Sequence, residues 1–103
     1  MTTAAELDAL IEELTVDAYG DEEQLSSFLV GAAEALVRGE HATIAGTPVE
    51  VTSVVCGPDA RTRLTARVLR EGERFGVALA DLRFAPDSEL GVVVAAYRRW
   101  QDR

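Results

Sequence analysis

The chain lacks lysine entirely, and among its 103 residues it holds one cysteine, Cys56, and one histidine, His41. A lone cysteine excludes an internal disulfide and agrees with a reducing compartment. A lone histidine with no second His or Cys at ligand spacing excludes the usual zinc sites. No apolar run approaches the roughly 20 residues that a membrane-spanning helix needs. Residues 1–6 carry neither the basic nor the apolar region of a signal peptide, so we expect a cytoplasmic protein.

Positive charge is absent from the first 37 residues. The remaining residues hold all ten arginines against nine acids, so nearly all of the net charge of −8 comes from the front third. Such a segment repels nucleic acid and anionic membranes, and it attracts cations and basic proteins. We call residues 1–37 the acidic front. Its acids are Glu6, Asp8, Glu12, Glu13, Asp17, Asp21, Glu22, Glu23 and Glu34.

Size and composition favour one globular unit without an active site. Apolar residues make up 48% of the chain and charged residues 27%, a balance typical of a folded domain. We expect residues 1–103 to form a single domain. The chain contains no self-sufficient catalytic motif, and its serine pair at residues 26–27 falls within a predicted helix. We therefore predict that the protein is not an enzyme.

Three segments have the spacing of amphipathic helices. Apolar residues recur every three or four positions over residues 3–16. Thr3 and Thr2 are both candidates for the N-cap, and Glu6 stands three residues after Thr3, the spacing of a capping box. Asp21 is predicted to cap a second helix, and Gly39 to end it in the left-handed conformation. A third helix is predicted to open at residues 86–89. It buries one stripe of side chains: Leu90, Val93, Val94, Tyr97 and Trp100.

From His41 onward the apolar period changes to two, which predicts short antiparallel strands. We expect turns near residues 46–48, 57–60 and 71–73. Two N-terminal helices, four or five strands and a closing C-terminal helix make an α+β domain. Strands this short at such regular spacing favour closure into a small SH3-like β-barrel. They are expected near residues 43–45, 49–54, 63–68, 75–79 and 83–84.

The densest acidic stretch lies between the first two helices, at residues 17–23. Asp17 precedes the break, and Asp21, Glu22 and Glu23 follow it, so four carboxylates lie near one turn. Carboxylate and carbonyl oxygens are the ligands that Ca²⁺ prefers, and Gly20 lets the backbone bend. The spacing is not that of an EF-hand. On spacing alone, a cation site and an ordinary helix start with solvated acids both stay open.

Residues 16–24, Val-Asp-Ala-Tyr-Gly-Asp-Glu-Glu-Gln, followed by Phe28, resemble the start of the small bacterial CcbP-type calcium-binding proteins. The likeness resumes at residues 76–82 and 96–100, where the family ends on a similar aromatic, basic and Trp helix. Residues 32–41 depart from the pattern, since the family usually carries an aromatic residue and a Pro-Phe pair there. The resemblance implies Ca²⁺ binding of low to moderate affinity, for buffering or sensing. The candidate metal ligands are the four acids grouped around the helix break, Asp17, Asp21, Glu22 and Glu23.

A second class of function also stays open. The acidic helices could meet a basic protein, as in an adaptor or inhibitor. Arginines 61, 63, 67, 70 and 74 form a basic stripe on one hairpin. Without aromatic residues between them, and with a negative net charge, they do not predict nucleic-acid binding.

Four single residues complete the sequence-based expectations. Cys56 follows two valines and is interpreted as a buried, small apolar residue. His41 is interpreted as a surface residue. Tyr19 is expected in the core or at its rim, together with Tyr97 and Trp100. Arg98 is expected on the solvent side of the last helix.

Overall fold

A computed structural model describes residues 2–57 and 63–102, which form three helices and five strands. The three helices and the antiparallel sheet confirm the predicted α+β class. Most of the turn predicted at residues 57–60 lies outside the described residues. The elements are α1 (Ala4–Leu14), α2 (Asp21–Ala35), β1 (Glu40–Ile44), β2 (Thr47–Cys56), β3 (Leu64–Arg70), β4 (Glu73–Ala78), a 3₁₀ turn (Leu79–Asp81), β5 (Leu82–Phe84) and α3 (Glu89–Gln101).

All strand pairs are antiparallel, in the order β4-β3-β2-β1-β5. Two-residue turns at 45–46 and 71–72 join β1 to β2 and β3 to β4. All four turn residues have positive φ, as the twist of a tight hairpin requires. The first turn comes one residue earlier than predicted, because Pro48 already pairs with Thr43 inside β2. Since β4 and β5 are the two edges of the described sheet, barrel closure is not confirmed.

The core lies between one face of the sheet and the three helices. Alternate residues of β3 point into it: Leu64, Ala66 and Val68 are at most 1% exposed, whereas Arg67 is exposed. The predicted stripe of α3 is confirmed, because every one of its five side chains is buried. Phe28 of α2 meets Tyr97 and Trp100 of α3, with ring centroids 5.7 and 5.2 Å away. This aromatic cluster joins the acidic front to the end of the chain.

The caps of α1 and α3 agree with the sequence, and those of α2 do not. The Thr3 hydroxyl accepts a hydrogen bond from the Glu6 amide at 3.2 Å, which confirms the capping pair. The N-cap of α2 is Gly20, at φ 89°, so Asp21 is instead its first helical residue. The helix stops at Ala35. Gly39 has positive φ, but it lies in the turn that leads into β1 and not at a helix end.

Two single-residue predictions for β2 and α3 are wrong. Cys56 is an exposed free thiol, because it is the last residue of β2 rather than a central one. Arg98 is half-buried, and its Nη1 donates hydrogen bonds to the carbonyl oxygens of Ala80 and Leu82. Its long side chain reaches from α3 to the 3₁₀ turn and β5. His41 is exposed in β1, opposite Glu50, as predicted.

Candidate functional site

The four predicted metal ligands lie at the α1–α2 junction, which we define as residues 15–24. Asp17 belongs to the turn that follows α1, where the Ala18 amide donates to the Thr15 carbonyl at 3.0 Å. Asp21, Glu22 and Glu23 are the first three residues of α2. All four are exposed. The junction therefore presents its carboxylates to solvent on both sides of Gly20.

The helix itself stabilises the three acids of its first turn. Aligned peptide dipoles place partial positive charge at a helix N-terminus, where carboxylates are favourable. Glu23 also accepts a hydrogen bond from the Tyr19 amide through Oε2, at 2.7 Å. That contact resembles one half of a capping box, displaced outward by one residue. A cation at this place would compete with both interactions.

The loop adds backbone oxygens to the carboxylates. The carbonyl oxygens of Asp17, Ala18 and Tyr19 accept no hydrogen bond from the residues that the structure describes. The Gly20 carbonyl, in contrast, accepts from the Gln24 amide at 3.1 Å. Carboxylates and free carbonyls together are an all-oxygen donor set, which is the kind that Ca²⁺ binds.

The chemistry of the donors fits a hard cation, but their placement is not that of a formed site. Within residues 2–57 and 63–102, no three Asp, Glu, His or Cys side chains are placed to hold one metal ion. Exposed side chains change rotamer within nanoseconds, so the carboxylates are free to turn toward a shared ion. Ordering them would oppose binding.

One acid of the acidic front is paired with an arginine, which reduces the repulsion among the acids. Asp8 forms a two-pronged contact with Arg99, Oδ1 to Nε at 2.7 Å and Oδ2 to Nη2 at 3.1 Å. This hydrogen bond, and then the charge of Asp8, raise the pKa of Arg99. No other acid of the front forms an ion pair among the described residues. Among the described residues, no arginine therefore offsets the carboxylates of the junction.

Gln24 connects the junction to the core, a role that sequence reasoning missed. Its Oε1 accepts a hydrogen bond from Trp100 Nε1 at 2.8 Å. Trp100 also stacks on Tyr97, with centroids 6.1 Å apart, and lies under the Arg63 guanidinium. Gln24 precedes Phe28 by one helical turn, so both reach the same aromatic cluster. The i, i+4 spacing of Gln24 and Phe28 is the sequence feature that could have predicted this contact.

Tyr19 is not a core residue, contrary to the sequence-based expectation. Its side chain is 81% exposed, and that of Val16 is 72% exposed. Both lie in the loop between α1 and α2, outside the stripes that the helices bury. The junction therefore presents two exposed, largely apolar side chains beside its carboxylates.

The four described arginines of the basic stripe do not form a single surface. Arg63 stands just before β3 with positive φ, which takes it out of the strand's alternation and over the Trp100 ring, 5.3 Å from its centroid. Arg67 and Arg74 lie on the face of the sheet that points away from the helices. Arg70 donates to the Pro48 carbonyl at 2.9 Å. Residue 61 lies outside the described residues.

No helix within the described residues has the length and apolar character needed to cross a bilayer.

Comparison with known proteins identifies the fold. No protein-family model and no curated protein sequence matches the chain. Two solved structures match almost all of it. Anabaena CcbP has a TM-score of 0.77 and 17% identity, over 100% of this chain and 94% of that one. A calcium binding protein in the calcium-binding form has a TM-score of 0.71 and 20% identity, over 94% of this chain and 90% of that one.

Both similarities concern the fold. The class is a small α+β fold with three helices on one face of a five-stranded antiparallel sheet. The particular fold is that of CcbP, as the resemblance in residues 16–28 predicted.

Proposed function

We propose that the protein binds Ca²⁺ at the α1–α2 junction, with carboxylates of Asp17, Asp21, Glu22 and Glu23 as ligands. The observation that carries the proposal is the fold, which is shared over 94% of this chain with a protein solved in a calcium-binding form. The exposed acids of the junction, none of which forms an ion pair among the described residues, support the same conclusion. The role is non-enzymatic buffering or sensing in the cytoplasm.

The structure supports low affinity rather than high. Binding must order several exposed side chains and displace the Tyr19 amide from Glu23, both of which oppose it. The dipole of α2 also disfavours a cation at its N-terminus. Calcium sites in proteins span dissociation constants from about 10⁻⁹ to about 10⁻³ M. We place this site in the weak half of that range.

Calorimetric titration of the metal-free wild type with Ca²⁺ and with Mg²⁺ tests the proposal. We expect a saturable Ca²⁺ signal and a weaker Mg²⁺ signal. Mg²⁺ demands near-octahedral geometry and releases its water reluctantly, whereas Ca²⁺ tolerates the irregular donors of a loop. Equal weak heats for both ions that do not saturate would mean that the acidic front only attracts counterions.

A variant pair locates the site. Asp21→Asn with Glu22→Gln removes two charges from the junction and keeps helix-compatible side chains of nearly the same shape. Glu34→Gln is the matched control, because Glu34 is an exposed acid of the same helix outside the junction. The double variant should lose the Ca²⁺ signal and the control should keep it. An unchanged double variant would place the ion elsewhere.

One observation favours a second function, a docking surface for a basic protein. The exposed Val16 and Tyr19 side chains beside the carboxylates combine apolar area with negative charge, which fits a basic amphipathic helix. An Arg- and Leu-rich helical peptide should then bind the wild type in the absence of Ca²⁺. Val16→Ser with Tyr19→Ser should weaken that binding without changing the Ca²⁺ titration. If the variant binds the peptide as tightly as the wild type, the surface is not this one.

A further inference from the structure

Two arginines converge on the same backbone oxygens between α3 and β5. Arg83 Nη1 donates to the carbonyl oxygens of Ala80, at 3.1 Å, and Leu82, at 3.2 Å. Arg98 Nη1 donates to the same two oxygens, at 3.3 and 3.2 Å. Two atoms that share an acceptor at 3.1 and 3.3 Å are at most 6.4 Å apart. The 3₁₀ turn therefore holds two guanidinium groups side by side.

The two guanidinium groups place two positive charges next to each other. Among the described residues, no carboxylate forms an ion pair with Arg83 or Arg98. The pKa of Arg98 is lowered, first by burial and then by the charge of Arg83. Two like charges held together destabilise each other unless a counter-charge is added. An anion between them would relieve that repulsion.

The arginines open onto a cleft of about 310 Å³ with mostly apolar walls. Phe84 and Pro86 form one side, and Val92 and Ala95 of α3 form the other. Thr2 adds a hydroxyl group. This volume is at the lower end of the range of small-molecule sites, which pair apolar walls with a few polar groups.

We propose that this cleft binds an organic anion that carries a carboxylate or phosphate head group on an apolar body. The planar guanidinium groups match the paired oxygens of either head group. The body would lie between Phe84 and Ala95. The site is distinct from the α1–α2 junction, and the proposal does not rest on Ca²⁺ binding.

A purely structural role for the two arginines makes a different prediction. If they served only to satisfy the Ala80 and Leu82 carbonyl oxygens, added anions would stabilise the protein no more than any salt does. A binding cleft instead predicts a saturable effect that depends on the apolar part of the anion.

The test uses the full chain with chelator present, so that Ca²⁺ plays no part. Benzoate and phenyl phosphate are titrated against acetate and chloride at equal ionic strength, with NMR shifts and melting temperature as readouts. We expect saturable binding of benzoate or phenyl phosphate, tighter than acetate, and the stronger of the two identifies the head group. The proposal is overturned if both behave like chloride, or if neither binds more tightly than acetate.

Variants assign the binding to the cleft. Arg83→Gln should weaken it about tenfold or more, since hydrogen bonds to charged groups contribute about 1.5–3 kcal/mol and 1.4 kcal/mol is tenfold. Arg74→Gln is the control, because it removes an exposed arginine from the opposite face of the sheet. Ala95→Leu narrows the cleft while keeping both arginines, so it tests the site without removing the hydrogen bonds of Arg83 and Arg98. An equal loss in Arg74→Gln, or unchanged affinity in Ala95→Leu, would contradict the proposal.

Discussion

Replacement of Trp100 tests whether α3 closes the core. The side chain is 8% exposed, and it packs on Phe28 and Tyr97. Trp→Ala changes in cores typically cost about 3–5 kcal/mol. The hydrogen bond to Gln24 is worth about 1 kcal/mol of that loss. Because the whole unfolding free energy of such a domain is about 5–15 kcal/mol, Trp100→Ala should remove a large fraction of it.

Urea denaturation followed by far-UV circular dichroism measures this loss without needing the tryptophan signal. Trp100→Phe is the informative partner, because it keeps a ring against Phe28 and Tyr97 but cannot donate to Gln24. We expect it to lose about 1–2 kcal/mol, well short of the alanine variant. An alanine variant within about 1 kcal/mol of the wild type would refute the packing argument.

Three further predictions follow from single contacts. A Cβ on Gly91 would lie 2.7 Å from the Phe84 Cβ, so Gly91→Ala should destabilise the protein by about 1–3 kcal/mol in urea denaturation. Arg98→Ala should cost more than Arg67→Ala in the same assay, because Arg98 is half-buried and hydrogen-bonded and Arg67 is exposed. Burial raises the pKa of Tyr97, so the unfolded chain ionises first as pH rises. Its contribution to stability is therefore complete below about pH 10 and should fall above it, which unfolding measured from pH 8 to pH 11 would detect.

Much of the fold was predictable because its signals are local. The Thr3 and Glu6 pair marks a helix start, and glycine at residue 72 permits the positive φ of a two-residue turn. The valines at residues 92–94 favour a strand by local propensity, yet they lie in α3. The apolar stripe that ends at Trp100 outweighs that preference because its burial against the sheet contributes more.

The errors concern places where tertiary position decides. Gly20 rather than Asp21 caps α2, because the chain enters that helix with a positive φ that favours glycine. Cys56 follows two valines in the sequence, but it is the last residue of its strand and is therefore exposed. The sequence predicts that Asp17 and Glu22 lie on either side of a break between two helices. It does not predict where their exposed carboxylates point, because no packing contact fixes them.

The most direct test of the central claim is the Ca²⁺ dependence of the unfolding free energy. It compares the wild type, the Asp21→Asn and Glu22→Gln double variant, and Glu34→Gln. At a hundredfold excess of Ca²⁺ over the dissociation constant, the wild type and Glu34→Gln should gain about 2.7 kcal/mol over Na⁺ at equal ionic strength. The double variant should gain nothing. No gain in the wild type, or an equal gain in all three proteins, would contradict Ca²⁺ binding at the α1–α2 junction.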